Sequence, residues 1–228
     1  MLISRIIAKA PLHQARCLSS VPSSFDEALV GLPSGAPGVV GPSPPTEVTH
    51  LPNGIRVASQ DAGDHVASIG VFVEAGSRFE KENTAGAAHL LAHMAFKSTN
   101  KRSDLRLFRD MEDAGIVCSA AHGRDSIMYR IDTLRDHTMS GLEIISETVT
   151  DAKFPGWEVA AVKNASLSAE LEQVETSAQT VLSEMVHSGA FGGEETPLGR
   201  STFAARHNFG NLDRDILRSY VLDNYTPH

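Results

Sequence analysis

Residues 86–97 read Gly-Ala-Ala-His-Leu-Leu-Ala-His-Met-Ala-Phe-Lys. The prediction of the fold and of the candidate site starts from this stretch. It places His89 and His93 four residues apart among Ala, Leu and Met, which are residue types that favour a helix. Residues four apart on a helix lie on one face, so the two imidazoles can meet at one metal ion. The stretch therefore predicts a short helix that carries a pair of metal ligands.

The residue at position 92, between the two histidines, bears on catalysis. A catalytic zinc ion usually has three protein ligands, often imidazole nitrogens, and one open position. The inverted zinc motif H-x-x-E-H has the spacing of His89 and His93, and its Glu acts as a base toward water. In this sequence that position holds Ala92. The sequence thus predicts retained ligands without a catalytic base, although two helical histidines that bind no metal would have the same spacing.

A third candidate ligand, Glu170, follows His93 after 76 intervening residues, numbers 94 to 169. This spacing resembles that of the third zinc ligand in the pitrilysin/insulinase metallopeptidases, the inverzincins. Further segments carry the same resemblance, which covers roughly residues 46 to 226. They are Leu51-Pro-Asn-Gly-Ile-Arg-Val-Ala, Val71-Phe-Val-Glu-Ala-Gly-Ser-Arg-Phe-Glu, His93-Met-Ala-Phe-Lys-Ser-Thr-Asn-Lys-Arg-Ser, Glu170 to Thr176, and Thr196-Pro-Leu-Gly-Arg200.

Within that family, the segment that begins at His93 resembles the beta subunit of the mitochondrial processing peptidase. It equally resembles the core subunits of the cytochrome bc complex, respiratory complex III. The resemblance implies an α+β fold, with a mixed β-sheet and helices packed on one face. It implies zinc held by His89, His93 and Glu170, with a vestigial metal-free site as the open alternative. It also places Arg200 near the active-site wall, where a structural ion pair is an equal alternative.

The composition argues against several other functions. Acidic residues number 28 and Lys plus Arg number 20, which gives a net charge of −8. This balance argues against a nucleic-acid surface, because phosphate binding needs an excess of Lys and Arg. The sequence has no apolar run of about 18 residues, so membrane association is expected through partners only. Two cysteines make no disulfide framework, and no haem is expected on this chain.

Three segments are predicted along the chain. Residues 1–20 carry Arg5, Lys9 and Arg16 and no acidic residue, which indicates a mitochondrial transit peptide, with a disordered basic tail as the alternative. Residues 21–45 are rich in Pro and Gly and predict an arm or linker. Residues 46–228 are predicted to form the peptidase-like N-terminal domain.

In relatives the last helix of this domain precedes another strand, so we expect the domain to be incomplete at its C-terminus. A companion chain would supply that strand and a second domain, unless the sequence is a truncation.

Local signals predict the elements near the site. Asn83 is the predicted N-cap of the helix that carries the histidines. A second helix is predicted from Ser103 to Ala114, with Ser103 as its cap. Its buried face is predicted to comprise Leu105, Phe108 and Met111.

Glu170 is predicted to lie on one long helix that runs from Pro155 to about His187. Two other acids share this helix, Glu172 and Glu175, and spacing alone does not place either one at the position of the missing base. His122 is interpreted as an isolated histidine with a structural role.

Two functions remain open at this point. The first is a non-catalytic core subunit of complex III, on the matrix side of the mitochondrial inner membrane. Its partners would be the second core subunit, cytochrome b, cytochrome c1 and the Rieske protein. The second function is a beta-type subunit of an active zinc-dependent presequence peptidase. Ala92 favours the first function and the retained ligands favour the second, and we expect that this chain is not itself an enzyme.

Overall fold

The computed structural model describes residues 44–227. The predicted transit peptide, and all but the last two residues of the predicted arm, lie outside this range. Among the described residues, no helix is both long and apolar enough to span a bilayer.

The described strands form two antiparallel sheets. Their bounds are β1 Glu47–His50, β2 Arg56–Ser59, β3 Val66–Val73, β4 Val117–His122 and β5 Ile127–Leu134. β1 and β2 make a hairpin, and the other three strands have the order β3-β5-β4. The predicted α+β class is confirmed. Every described strand pair is antiparallel, however, where a mixed sheet was predicted. For β4 and β5 the physical reason is their short connection, since parallel neighbours need a long crossover.

The described chain also contains seven α-helices. They are α1 Ala87–His93, α2 Asp104–Asp113, α3 Thr138–Thr150, α4 Gly156–Val162, α5 Ser168–Thr176, α6 Ala178–Ala190 and α7 Arg214–Asn224. Helix α3 lies so close to the sheet that a Cβ added at Gly141 would be 3.3 Å from Ile131 and 3.4 Å from Ile69. On the other face of the sheet, Phe72 of β3 and Val117 of β4 are exposed. The prediction that helices pack on one face is therefore confirmed for the described residues.

Helix α1 lies in the middle of the apolar core. Its Leu90 and Leu91 are buried, together with Ile127 and Tyr129 of β5 and Tyr220 of α7. The Tyr220 hydroxyl donates to the carbonyl oxygens of residues 75 and 76, so α7 is fixed to the chain that follows β3. The helix that carries the histidines is thereby held from both the sheet and the C-terminal helix.

The predicted long helix from Pro155 to about His187 is wrong, because the structure interrupts it twice. Helix α4 continues into a π-helical turn, Lys163–Leu167, before α5 begins. The chain then breaks at Ser177, which has extended backbone angles of φ −85° and ψ 96°. The Ser177 side chain accepts a hydrogen bond from the N–H of Thr180 and so caps α6. A serine that can cap the next helix competes with the continuation of the previous one.

The predicted buried face of α2 is only partly correct. Ser103 does cap this helix by accepting from the Arg106 N–H. Met111 is buried together with Leu107, whereas Leu105 and Phe108 are exposed. Leu107 and Met111 lie at positions i and i+4, so they define the inward stripe and leave the other two side chains outside it.

Candidate metal site

A left-handed glycine and a buried carboxylate set the start of α1. Gly86 has φ 89°, a conformation that favours glycine, and the Glu80 carboxylate accepts hydrogen bonds from the N–H groups of Gly86 and Ala88, each at 2.8 Å. The prediction that Asn83 caps this helix is therefore wrong, because Glu80 satisfies these N–H groups instead. Burial raises the pKa of Glu80 to about 7, although the two N–H donors and the nearby Arg200 act in the opposite direction.

The structure brings together the three predicted metal ligands. The distance from His89 Nε2 to Glu170 Oε2 is 3.2 Å, and from His89 Nε2 to His93 Nε2 it is 3.3 Å. His93 Nε2 lies 2.5 Å from Glu170 Oε2. These two histidines and one glutamate form a group able to hold a metal ion within the described part of the chain.

A tetrahedral ion imposes characteristic separations on its ligand atoms. Zinc bonds of about 2.0–2.2 Å place two ligand atoms about 3.3–3.6 Å apart. The donor set of two imidazoles and one carboxylate, and the two separations from His89, fit zinc. The separation of 2.5 Å between His93 and Glu170 is shorter than that of two ligand atoms on one zinc ion, and shorter than an ordinary N–H···O hydrogen bond.

The cluster is buried on one side and accessible on the other. The His89 side chain is fully buried, whereas 23% of His93 and 35% of Glu170 is exposed. Burial is the main cause that lowers the pKa of His89 to about 4, opposed by the hydrogen bond with Glu170. Burial also disfavours the ionised form of Glu170, but hydrogen bonds and charge from both histidines lower the pKa of its carboxyl. A neutral His89 beside an ionised Glu170 is suited to ligate a cation.

The second ring nitrogen of His89 has its own partner. The backbone N–H of Ala204 donates to His89 Nδ1 at 3.1 Å, and both residues are buried. Ala204 lies in the segment between α6 and α7, far from α1 in sequence. This contact could not be predicted from spacing.

Other carboxylates on the neighbouring helices have arginine partners. Glu175 pairs with Arg206, at 2.8 Å from its Nε atom, and Glu184 pairs with Arg124 at 2.7 Å. The side chain of Glu172 is largely exposed, and its closest ion pair is also with Arg206. Among the described residues, Glu170 is thus the carboxylate that belongs to the cluster.

His122 lies much closer to the cluster than the sequence indicated. It ends β4, and its ring centroid is 4.4 Å from that of His89, with the ring planes tilted by 30°. Phe203 packs edge-on against both rings. Burial lowers the pKa of His122. The interpretation of His122 as isolated is wrong, because β4 pairs with β5 and this pairing brings the end of β4 beside α1.

Arg200 lies next to the beginning of α1, away from the three ligand atoms. Its guanidinium donates to the backbone oxygen of Glu80. Both residues line a cavity of about 1050 Å³ together with Gly86 and Asn208, and none of the three candidate ligands lines that cavity. Arg200 therefore supports the segment that caps α1.

An α+β domain that joins two histidines on one helix to a carboxylate on another is the arrangement of a metallopeptidase-type site. The family model described as insulinase (peptidase family M16) matches residues 56–206. The chain belongs to this family.

Curated relatives agree with this assignment. The chain is 35% identical over 208 residues to the mitochondrial-processing peptidase subunit alpha of Solanum tuberosum. The matched region covers 91% of this chain and 40% of the relative. It is 34% identical over 190 residues to the subunit beta of Rattus norvegicus, with 83% of this chain and 38% of the relative covered. The chain thus spans about two fifths of the length of these relatives.

Proposed function

We propose that this chain is a non-catalytic mitochondrial member of the processing-peptidase group, with a structural role as a core subunit of respiratory complex III. The observation that carries the proposal is Ala92, at the position of the base in the inverted zinc motif. The ion pairs that Glu175 and Glu184 make with arginines support the proposal, because they engage two carboxylates of the neighbouring helices.

The chemistry of peptide hydrolysis explains why one methyl side chain has this effect. A group beside the attacking water must accept its proton and pass it to the leaving amine. The side chain of Ala92 can do neither. General acid–base catalysis contributes about 10²–10⁴-fold to such reactions, so the chain should have little hydrolytic activity of its own.

The proposal includes zinc as the ion that this cluster would bind. His89 and His93 would hold it through Nε2, and Glu170 through Oε2. When bound, zinc acts as a Lewis acid and activates water. The role of the protein residues is to hold these atoms on two fixed helices, with the His89 side buried and the Glu170 side accessible.

The relatives support the proposed location and a partner. Those described above are named as alpha and beta subunits of a mitochondrial enzyme, so we propose a mitochondrial location and a companion chain. As a core subunit, the chain would lie on the matrix side of the inner membrane. It would contact the second core subunit, cytochrome b, cytochrome c1 and the Rieske protein, and it would associate with the membrane through them.

A second function is favoured by one specific observation. All three candidate ligands are present, and their atoms lie within 4.8 Å of one another. A subunit of an active zinc-dependent presequence peptidase would retain such a cluster. In that case either another group would act as the base or a partner subunit would carry out catalysis.

Native purification distinguishes the two functions. The chain would be isolated from mitochondrial membranes, its co-migrating subunits identified by mass spectrometry, and its metal content measured on the same sample. Cytochrome b and cytochrome c1 in the complex would support the core-subunit role. A soluble heterodimer with stoichiometric zinc and no cytochromes would refute it and favour the peptidase.

A further inference from the structure

The hydrogen bond on His89 determines which of its ring nitrogens carries the hydrogen. A neutral imidazole has one nitrogen with a hydrogen and one with a free lone pair. Because the Ala204 N–H donates to Nδ1, that nitrogen must provide the lone pair. The hydrogen of His89 is therefore on Nε2, the nitrogen that faces His93 and Glu170.

The contacts of Glu170 are consistent with this assignment. His89 Nε2–H can donate to Glu170 Oε2 at 3.2 Å, and His93 Nε2 lies 2.5 Å from the same oxygen. The Glu170 carboxylate accepts both hydrogen bonds. Ala204 N–H, the two imidazoles and the carboxylate thus form a connected hydrogen-bonded network, while the two Nε2–H groups lie 3.3 Å apart with no acceptor between them.

This arrangement is the opposite of the one that a metal ligand normally has. A histidine that binds metal through Nε2 usually donates its Nδ1–H to a carbonyl or a carboxylate, which keeps the Nε2 lone pair free. Here the partner of Nδ1 is itself a donor. His89 can bind a metal through Nε2 only if the Ala204 hydrogen bond breaks and the hydrogen moves to Nδ1.

The surroundings keep His89 and Ala204 in this contact. His89 is fully buried, with the rings of His122 and Phe203 at centroid distances of 4.4 and 5.5 Å. Ala204 packs against Gly86 so tightly that a Cβ added there would lie 2.4 Å from the Ala204 Cβ. Neither partner can turn away without repacking the start of α1.

We propose that the Ala204 backbone N–H holds His89 in its Nε2–H form and thereby weakens the affinity of the cluster for zinc. Second-shell partners of metal ligands typically change metal affinity by about 10–100-fold, and here the partner acts against binding. The inference goes beyond the proposed structural role, because a chain with Ala92 lacks the base with or without zinc. It lowers the affinity expected for the zinc that His89, His93 and Glu170 would hold.

Nuclear magnetic resonance tests the hydrogen position directly. The full chain would be labelled with ¹⁵N-histidine and kept zinc-free at neutral pH, and long-range ¹H–¹⁵N correlations would be recorded. The His89 signals are identified by their loss in the His89→Asn variant. We expect an Nδ1 without hydrogen and an Nε2 with hydrogen. A hydrogen on Nδ1 would overturn the proposal.

A zinc titration of the same sample provides a second readout. We expect the backbone amide resonance of Ala204 to shift as zinc binds, because its hydrogen bond to His89 must break. Zinc that binds at His89 and leaves this resonance unmoved would overturn the proposal.

A pair of variants tests the contact without zinc. In His89→Asn the side-chain oxygen lies near the position of Nδ1 and can accept from Ala204, whereas in His89→Gln the amide lies near the position of Nε2. Gln fills more volume and favours a helix more than Asn does, so both of these effects favour the Gln variant. We nevertheless expect His89→Asn to have the higher melting temperature. The reverse order would count against the role of Ala204.

Discussion

The tight contact between Gly86 and Ala204 leads to a strong prediction about the stability of the site. Gly86→Ala places a Cβ on a residue with φ 89°, which costs about 1–2 kcal/mol for an L-residue. The same Cβ would lie 2.4 Å from the Ala204 Cβ and 2.7 Å from its Cα, and such overpacking costs about 1–3 kcal/mol. Together these effects should lower the free energy of unfolding by about 2–5 kcal/mol.

Two further variants separate the backbone cost from the clash. Gly115 also has a positive φ, of 62°, but a Cβ there would meet nothing within 4 Å. Gly115→Ala should therefore show the backbone cost alone, about 1–2 kcal/mol. Adding Ala204→Gly to Gly86→Ala removes the closest contact and should recover part of the loss. The assay is urea denaturation monitored by circular dichroism. Equal losses in Gly86→Ala and Gly115→Ala would refute the reasoning.

Three other predictions concern the carboxylate that caps α1, the helix break and the core. Since burial raises the pKa of Glu80 to about 7 from an ordinary 4.5, its contribution to stability is fully present below pH 4.5 and is lost as the pH rises through about 7. The test is denaturation of wild type and Glu80→Gln at several pH values. The unfolding free energy of wild type minus that of the variant should fall by about 3 kcal/mol between pH 4.5 and pH 7. A difference that stays constant with pH would contradict this. Ser177→Ala should lower the unfolding free energy by about 0.5–2 kcal/mol in urea denaturation, because it removes the cap of α6. The control Ser183→Ala removes an exposed hydroxyl and should change the unfolding free energy little. Equal effects of the two variants would contradict the capping role. Leu107→Ala should cost about 2–5 kcal/mol by thermal denaturation and Leu105→Ala much less, and the opposite order would show that α2 buries its other face.

The histidine pair could be predicted from the sequence for a local reason, and its third partner through a family resemblance. The spacing of His89 and His93 follows from helix geometry, and Glu170 was found through its spacing in a known family. All three atoms meet in the structure. Local information also located the cap at Ser103, because a serine before an apolar periodic segment acts within one turn.

The features that escaped prediction depend on contacts between distant segments. Glu80 caps α1 from a preceding loop, and Ala204 reaches His89 from a segment that lies 115 residues away. The position of His122 depends on how β4 is placed in the sheet. A periodic pattern contains no information on such approaches, so the second partner of His89 required the structure.

The proposal that Ala92 leaves this chain with little hydrolytic activity of its own is tested most directly by a cleavage assay. The purified chain would be incubated at pH 7 with a presequence-like peptide, either with stoichiometric zinc or after treatment with a chelator. The account predicts equal, background rates of cleavage in the two samples. Cleavage that depends on zinc and disappears with the chelator would contradict it.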